Sequence, residues 1–294
     1  MSDSPVVAEL LASTGCYTHV VVDHEHSPTS IRSGQEILRA VDAANCSNFR
    51  RGRQNCEPIV RLPSADDPAY VKKVLDGLTL PGGVIAPMVD DAAAAQAFVE
   101  SARYPAQERD IECGEGEGDG GYFPGNEVGG GTRGCAVPFV RGSSYGYCDG
   151  GTDDYMARCR DDLLVMVQVE TPVGVSNVAE IAAVEGVDGI FLGPFDLSCA
   201  IGRAGQFEHP DVVALIGEAE RAVRRESSRS NCFLAGFRTP GRSLREMVGE
   251  AGYKFVCGSV DMGMLKDGAA RDLVDLRSAT TEAKSPDDGD DRQQ

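Results

Sequence analysis

The sequence contains no tryptophan and only 4 histidines, and its 28 lysine and arginine residues are outnumbered by 46 aspartate and glutamate residues. The formal net charge of −18 argues against nucleic acid or an anionic membrane as partner, because both attract basic surfaces. No apolar stretch approaches the roughly 18 residues of a membrane span. The opening MSDSPVVAELL lacks the basic start and long apolar run of a signal peptide. We therefore predict a cytoplasmic protein.

Zinc-binding and redox cysteine motifs are also absent. The 10 cysteines form no C-x-x-C pair, and none has a histidine partner at zinc-binding spacing. Scattered cysteines of this kind are typical of a reduced chain rather than of a disulfide scaffold. We interpret them as free thiols.

A strand, a helix and a second strand occupy residues 163–198, and the chain is organised around them. Leu163 to Val169 is an apolar run that predicts a buried parallel strand. An amphipathic helical pattern follows, and then Gly189 to Leu192 predicts the next strand. Glu170 follows the first strand, and Asp196 follows the second. Because the carboxyl ends of parallel strands meet at one mouth, we expect these two carboxylates to lie side by side.

Two adjacent carboxylates repel each other unless one is protonated or both bind a cation. Ligands that are all oxygen favour Mg²⁺ or Mn²⁺, with the other positions left to water or substrate. Gly193 allows close approach to the backbone, and the N–H groups of Phe195 and Asp196 are placed to hold an anion. For an isolated pair of acids, capping of a turn by Glu170 and of a helix by Asp196 would be the better explanation. The strand-end placement favours a metal site for a 2-oxo acid.

The segments QVET and VEGVDGIFLGPFDLS closely resemble the HpcH/HpaI aldolase family, which are metal-dependent class II aldolases with a (β/α)8 barrel. The resemblance extends, with interruptions, from about residue 7 to residue 273. It implies that Glu170 and Asp196 bind the divalent ion and that Gln168 lies near the bound oxo acid. Gly193, Phe195 and Asp196 are the further expected contacts of the substrate. Many relatives carry a smaller or polar residue at the position of Phe195, which indicates a more apolar pocket in this chain; the alternative is that Phe195 packs inward.

The same resemblance assigns roles to four residues earlier in the chain. Asp23-His24-Glu25-His26 matches the D-x-E-H motif of the family, which implies that His26 is the catalytic base and that Asp23 orients it. Arg61 matches the arginine that contacts the carbonyl oxygen of the substrate and stabilises the enolate. Asp76 matches a further acid, acting across a subunit contact. Local sequence alone would favour surface histidines, and would explain Arg61 equally well as a solvated arginine.

The predicted organisation is an α/β barrel of the (β/α)8 TIM type that lacks its first strand. The family's barrel begins with a strand ahead of the first helix, but only residues 1–5 precede Val6, which leaves seven recognisable strands of the eight that close a barrel. Residues 106–131, rich in glycine and acids, are predicted to be a flexible insertion. We expect one barrel domain over 1–277 and a disordered acidic tail over 278–294.

The resemblance implies an aldolase that cleaves a 4-hydroxy-2-oxo acid to pyruvate and an aldehyde through a metal-stabilised enolate. Oxaloacetate decarboxylation or another enolate condensation on the same site is an alternative, because it uses the same enolate. The other alternative is a non-catalytic barrel homologue, which the missing strand and the insertion favour and the complete set of site residues opposes. The expected partners are a small 2-oxo acid and further copies of the chain, in a hexamer by resemblance.

Overall fold

The computed structural model of the protein describes residues 2–105, 130–148 and 150–282. The predictions of a flexible insertion at 106–131 and of a disordered tail fall mainly on residues outside these ranges. The described chain contains no helix long and apolar enough to cross a membrane. The nine described cysteines are all free thiols.

Seven parallel strands form one sheet in chain order, each hydrogen-bonded to the next. This confirms the predicted seven strands and TIM-like fold, and in the described residues no further strand closes the barrel between the first and the last. The strands are β1 (His19–Asp23), β2 (Glu57–Arg61), β3 (Gly82–Ala86), β4 (Leu163–Val169), β5 (Gly189–Leu192), β6 (Phe233–Phe237) and β7 (Tyr253–Cys257).

Helices connect the strands, and many begin where the sequence provides a capping side chain. The side chain of Ser30 accepts a hydrogen bond from the N–H of Ser33 in a reciprocal capping box. The side chain of Thr171 accepts one from the N–H of Gly174. The helices are α1 (Pro5–Ser13), α2 (Ile31–Arg50), α3 (Pro68–Gly77), α4 (Ala92–Ala102), α5 (Gly151–Asp161), α6 (Pro172–Ala182), α7 (Pro194–Ala200), α8 (Pro210–Ser230) and α9 (Asp261–Glu282), with a π-helical turn at Glu246–Ala251.

Two helices differ from the sequence prediction in length. The polar, basic composition of residues 45–57 predicts a loop, but α2 continues into this stretch as far as Arg50. Asn48 explains part of this, because its buried side-chain amide donates to the carbonyl oxygens of Ala12 and Gln54 and anchors the last turns. The final helix α9 runs on to Glu282, past the predicted start of the tail. It belongs to a second compact unit, Ser259–Gln294, while residues 1–258 form the first.

The sheet is curled, with one apolar layer outside it and another inside. In β4, Val165 and Val167 pack outwards against the helices and Met166 packs inwards, as the two-residue alternation of a strand requires. The rings of His19 in β1 and Phe255 in β7 lie 5.1 Å apart, so the first and last strands approach each other on the inside. The buried residues of the inner layer are Ile59, Ile85, Met166, Phe191 and Ala235.

The same alternation positions the next layer towards the carboxyl ends of the strands. In a strand, the residue two positions after an inward-facing one also faces inwards, one layer closer to the carboxyl end. In this way Val21 is followed by Asp23, Ile59 by Arg61, and Met166 by Gln168. The buried apolar layer therefore lies directly beneath a set of polar side chains.

Candidate active site

Arg61 lies at the centre of the polar layer and is only 4% exposed. Its Nε and Nη2 donate to the two carboxylate oxygens of Asp23 at 2.8 and 2.9 Å. Its Nη1 lies 3.1 Å from Oε2 of Glu25, and the Phe237 ring centroid lies 5.7 Å from its Cζ. Burial acts to lower the pKa of Arg61, but the carboxylates outweigh it and raise that pKa. The guanidinium is therefore charged and fixed in orientation.

Asp23 holds Arg61 and the following turn rather than the ring of His26. Burial acts to raise the pKa of Asp23, but the hydrogen bonds and charge of Arg61 lower it overall. The Asp23 carboxylate also accepts the backbone N–H groups of Glu25 and His26. In the described residues the Asp23 carboxylate is bonded to Arg61 and to these backbone groups, and the orienting role towards His26 that the resemblance implies stays a prediction.

The His26 side chain is half exposed, and its Nε2 lies 3.7 Å from Oε1 of Glu25. The neighbouring His24 points the other way and is buried. Its Nδ1 lies 2.9 Å from the Tyr70 hydroxyl, and a Cβ on Gly34 would lie 2.5 Å from its Nε2. Desolvation by burial lowers the pKa of His24, so it is neutral. The two histidines of the turn therefore have different surroundings, and only His26 faces the solvent.

Glu170 follows β4 and is 1% exposed. Its Oε2 accepts a hydrogen bond from the Gln168 amide, and its Oε1 accepts the N–H of Met88 at 2.8 Å. Met88 has a φ of 56°, which is rare for a residue with a side chain and is held by that bond. Burial raises the pKa of Glu170 to about 7, and the charges of Glu25 and Asp196 act in the same direction.

Gly193 allows the second strand end to approach Glu170. A Cβ at Gly193 would lie 2.4 Å from Oε2 of Glu170 and 3.1 Å from the amide nitrogen of Gln168, so only glycine fits there. Gly193 donates its N–H to the carbonyl oxygen of Val169, and α7 then begins with Pro194. Asp196 lies in the first turn of α7. Because β4 and β5 are paired, the chain segments that carry Glu170 and Asp196 lie next to each other. The side-by-side placement of the two carboxylates stays a prediction.

Glu25 was given no role in the sequence analysis, yet the structure brings it into the same cluster. Burial raises the pKa of Glu25, and the charges of Asp23 and Asp196 also raise it. Arg61 and His26 lower that pKa, but the net shift is upward. The signal was present in the sequence, because Glu25 is the acid of the D-x-E-H motif and stands two residues after the inward-facing Asp23.

Asp76 lies away from the strand-end residues, in the last turn of α3. That turn is at the amino-terminal end of the sheet, because the helix runs antiparallel to the strands. Its Oδ1 accepts a hydrogen bond from Nη2 of Arg133 at 2.9 Å. No described contact joins Asp76 to the strand-end residues within this chain.

The donor set at the strand ends fits a hard divalent cation. Glu170, Asp196, Glu25 and Gln168 offer oxygen donors, and the acids at the strand ends outnumber Arg61. Oε1 of Gln168 and Oε2 of Glu25 are buried without a hydrogen-bond partner, although the latter lies near Arg61. In the described part of the chain, no three His, Cys, Asp or Glu side chains are arranged to hold a metal by themselves. A cation on Glu170 and Asp196 would therefore need water or substrate oxygens as its other ligands.

An open-sided TIM-like barrel with acids and one arginine at the carboxyl ends of its strands defines the class of protein. The family comparison then identifies it: the HpcH/HpaI aldolase/citrate lyase model matches residues 1–267, and the chain belongs to that family.

Two curated relatives and one solved structure are similar over nearly the whole chain. A hydroxypyruvate/pyruvate aldolase of Chromohalobacter salexigens is 31% identical over 262 residues, covering 89% of this chain and 85% of the relative. A 2-dehydro-3,6-dideoxy-6-sulfogluconate aldolase of Pseudomonas putida is 34% identical over 281 residues, covering 94% and 90%. The crystal structure of a family protein from Burkholderia cenocepacia J2315 is 27% identical, with a TM-score of 0.73 and coverage of 94% and 91%. Both curated relatives are named aldolases, which are carbon–carbon lyases.

Proposed function

We propose that this protein is a divalent-metal-dependent aldolase that cleaves a 4-hydroxy-2-oxo acid into pyruvate and an aldehyde. The observation that carries the proposal is the buried Glu170, held by Gln168 and Met88 against Gly193 and next to Asp196. A buried carboxylate with no basic side chain bonded to it is costly unless it is protonated or binds a cation. The family membership and the names of the relatives support the aldolase reaction.

Glu170 and Asp196 are the proposed ligands of the cation, which we expect to be Mg²⁺ or Mn²⁺. When bound, it supplies Lewis-acid polarisation of the ketone of the substrate. Gln168, Gly193 and the backbone N–H groups of Phe195 and Asp196 are the proposed contacts of the oxo acid. The unpartnered Oε1 of Gln168 and the absence of a side chain at Gly193 leave room for it there.

Arg61 and His26 have the proposed chemical roles. Arg61, held in place by both oxygens of Asp23, stabilises the negative charge that develops on the 2-oxo oxygen. His26 accepts the proton of the 4-hydroxyl, either directly or through water. The C3–C4 bond then breaks, the aldehyde C=O forms, and the electron pair passes into the C2–C3 enolate. Protonation of C3 gives the methyl group of pyruvate.

The proposed enzyme works as a homo-oligomer, with residues 1–277 as the barrel domain. In this arrangement Asp76 would act only through a second copy of the chain, since within one chain it contacts Arg133. Its role is therefore tested by mixing Asp76→Asn and His26→Ala subunits. Recovery of activity in the mixture would support a site shared between subunits.

The primary test measures pyruvate release from a panel of 4-hydroxy-2-oxo acids and oxaloacetate, with added Mg²⁺ or Mn²⁺ and with chelator. We expect release that requires the cation and is lost in Glu170→Gln. The matched control is Glu180→Gln, which makes the same replacement on the exposed face of α6.

Cation binding is measured separately by titrating Mn²⁺ into the protein and following its electron paramagnetic resonance signal. Wild-type and Glu180→Gln proteins should bind Mn²⁺, and Glu170→Gln should not. Full release in the presence of chelator, or unchanged Mn²⁺ binding by Glu170→Gln, would contradict the proposal.

A further inference from the structure

Four exposed or half-buried apolar side chains follow the ends of three strands at the candidate site. We call them the apolar rim: Met88 after β3, Val173 after β4, and Phe195 and Phe207 after β5. Met88 is 55% exposed, Val173 58% and Phe195 61%, while Phe207 is half-buried. The three strands they follow are neighbours in the sheet and include those that end at Glu170 and Asp196.

The site itself holds two members of the apolar rim in place. Met88 is fixed at its positive φ by the bond from its N–H to Glu170. Phe195 immediately precedes Asp196 in the first turn of α7. These exposed side chains are therefore attached to the same backbone that positions the candidate metal ligands.

Phe207 reaches the rim through a loop that is tied to α7. The hydroxyl of the buried Ser198 accepts the N–H of Gly205 at 3.0 Å, and the Ser198 carbonyl accepts the N–H of Arg203 at 2.7 Å. This brings the Phe207 ring to 5.7 Å from the Phe195 ring, with an interplanar angle of 62°. Edge-to-face pairs of this kind add to the stability gained from burying the rings. The hydrogen bonds between this loop and Ser198 thus hold the two aromatic rings together.

Exposed apolar side chains beside a buried polar cluster gain free energy when a ligand covers them. The 2-oxo acid end of the substrate is proposed to occupy the polar cluster, so the remaining part of the same molecule extends towards the rim. Pockets for small molecules commonly combine a few polar groups with an apolar lining in this way.

We infer that the apolar rim selects the aldehyde half of the substrate, and that this half carries an apolar alkyl or aryl group. The inference rests on the proposed function, because it names the substrate class of the same site. Arg203, exposed in the loop that carries Phe207, would instead suit a second carboxylate.

The test runs the reaction in the direction of condensation, with pyruvate and Mg²⁺ saturating and the aldehyde varied. The aldehydes are hexanal and benzaldehyde against glyceraldehyde and succinic semialdehyde. We expect kcat/KM to favour the apolar aldehydes by on the order of tenfold or more, as for a few methylenes in an apolar pocket. Phe207→Ser and Phe195→Ala should reduce this ratio to near one. The matched control is Phe139→Ala, which removes a phenylalanine that is 82% exposed outside the rim.

A second measurement separates failure of this inference from failure of the proposed function. Exchange of the pyruvate methyl protons in D₂O, followed by NMR without any aldehyde, reports enolate formation alone. If wild-type protein shows no exchange, the proposed function fails. If it shows exchange but prefers glyceraldehyde or succinic semialdehyde, or if the rim variants keep the apolar preference, the inference is overturned while the proposed function stands.

Discussion

Arg61 and Arg133 are both buried arginines in this molecule, but the charge around them differs. Arg61 is 4% exposed and Arg133 is 3% exposed, and each donates to an aspartate and lies near an aromatic ring. Around Arg61 the acids are in excess, since Asp23 and Glu25 both lie within 3.1 Å and the charge of Glu170 is also felt.

Around Arg133 the charges balance. Among the residues that the structure describes, Asp76 is its single carboxylate partner, at 2.9 Å, and the Tyr104 ring lies 4.3 Å from its Cζ. A one-to-one buried pair of this kind holds elements together, here α3 and the segment after residue 130. An excess of buried acids instead leaves a negative charge that a cation or a proton must compensate. The number of acids, rather than the presence of a buried arginine, therefore distinguishes the candidate site.

The largest expected effect comes from replacing the arginine of the acid-rich cluster. Arg61→Met should lower kcat/KM by on the order of 10²–10³-fold, because a fixed charge facing the developing enolate is lost. Steady-state kinetics on the preferred 4-hydroxy-2-oxo acid would measure it. Arg32→Met, at an exposed arginine paired with Glu36, is the control. A loss of less than about tenfold would show that Arg61 does not contact the reacting atoms.

Breaking the Arg133–Asp76 pair should lower stability rather than kcat/KM. Arg133→Met leaves Asp76 without its partner, and we expect the free energy of unfolding to fall by about 3 kcal/mol, at the low end for a buried pair because Asp76 is partly exposed. Urea denaturation followed by circular dichroism would measure this. If the double variant Arg133→Met/Asp76→Asn were no more stable than Arg133→Met, the unpaired carboxylate would not be the cause.

Divalent cation should stabilise the acid-rich cluster. At a Mg²⁺ or Mn²⁺ concentration about 100 times its Kd, the expected gain is about 2.7 kcal/mol in the free energy of unfolding. The shift in the thermal midpoint, with and without chelator, measures it. Glu170→Gln should lose the gain and Glu180→Gln should keep it. An equal gain in Glu170→Gln would place the cation elsewhere.

The smallest expected effect concerns His24, which lies between the acids Asp23 and Glu25. Its pKa is lowered by burial in spite of Asp23 and Asp3, so the unfolded chain takes up its proton more readily than the folded protein. The contribution of His24 to stability should therefore fall by about 1 kcal/mol between pH 7.5 and 5.5, as the pH drops through the unfolded value of about 6.5. The raised pKa of Glu170 acts in the opposite direction over this range in wild type and variant alike, so the test compares the two proteins. Urea unfolding at both pH values should give a change in the free energy of unfolding that is more favourable in His24→Gln than in the wild type, by about 1 kcal/mol. The same change in both proteins would contradict the assignment.

Much of the fold was predictable because the strands carry strong local patterns. Leu163–Val169 and Gly189–Leu192 were predicted to the residue, since continuous apolar runs bounded by glycine and an acid leave little choice. The predicted loop at the end of α2 is wrong, because Asn48 is anchored by the carbonyl oxygens of Ala12 and Gln54, which no local pattern reveals. Tertiary contacts of this kind override the low helix propensity of a polar, basic stretch.

The candidate site was predictable in part for the same reason. Strand-end position marked Glu170 and Asp196, and the resemblance to the family marked Arg61 and Asp23. The structure brings all four to one end of the sheet. Their proposed roles stay predictions. The partner of Asp23 could not be predicted, because Asp23 and Arg61 meet only through the register between β1 and β2. Phe207 was missed because its place depends on the hydroxyl of Ser198, a contact within an irregular loop.

The sequence by itself determined the parallel strands, their order of appearance and the acids that follow them, because these depend on short-range periodicity and on the chirality of βαβ units. Only the tertiary structure decided which charges face one another. Charge pairing depends on distances between segments that are remote in the chain, and Coulomb energies change steeply over a few ångströms in a buried site. That is why Asp23 and Asp76, similar acids in the sequence, have Arg61 and Arg133 as their partners at opposite ends of the sheet.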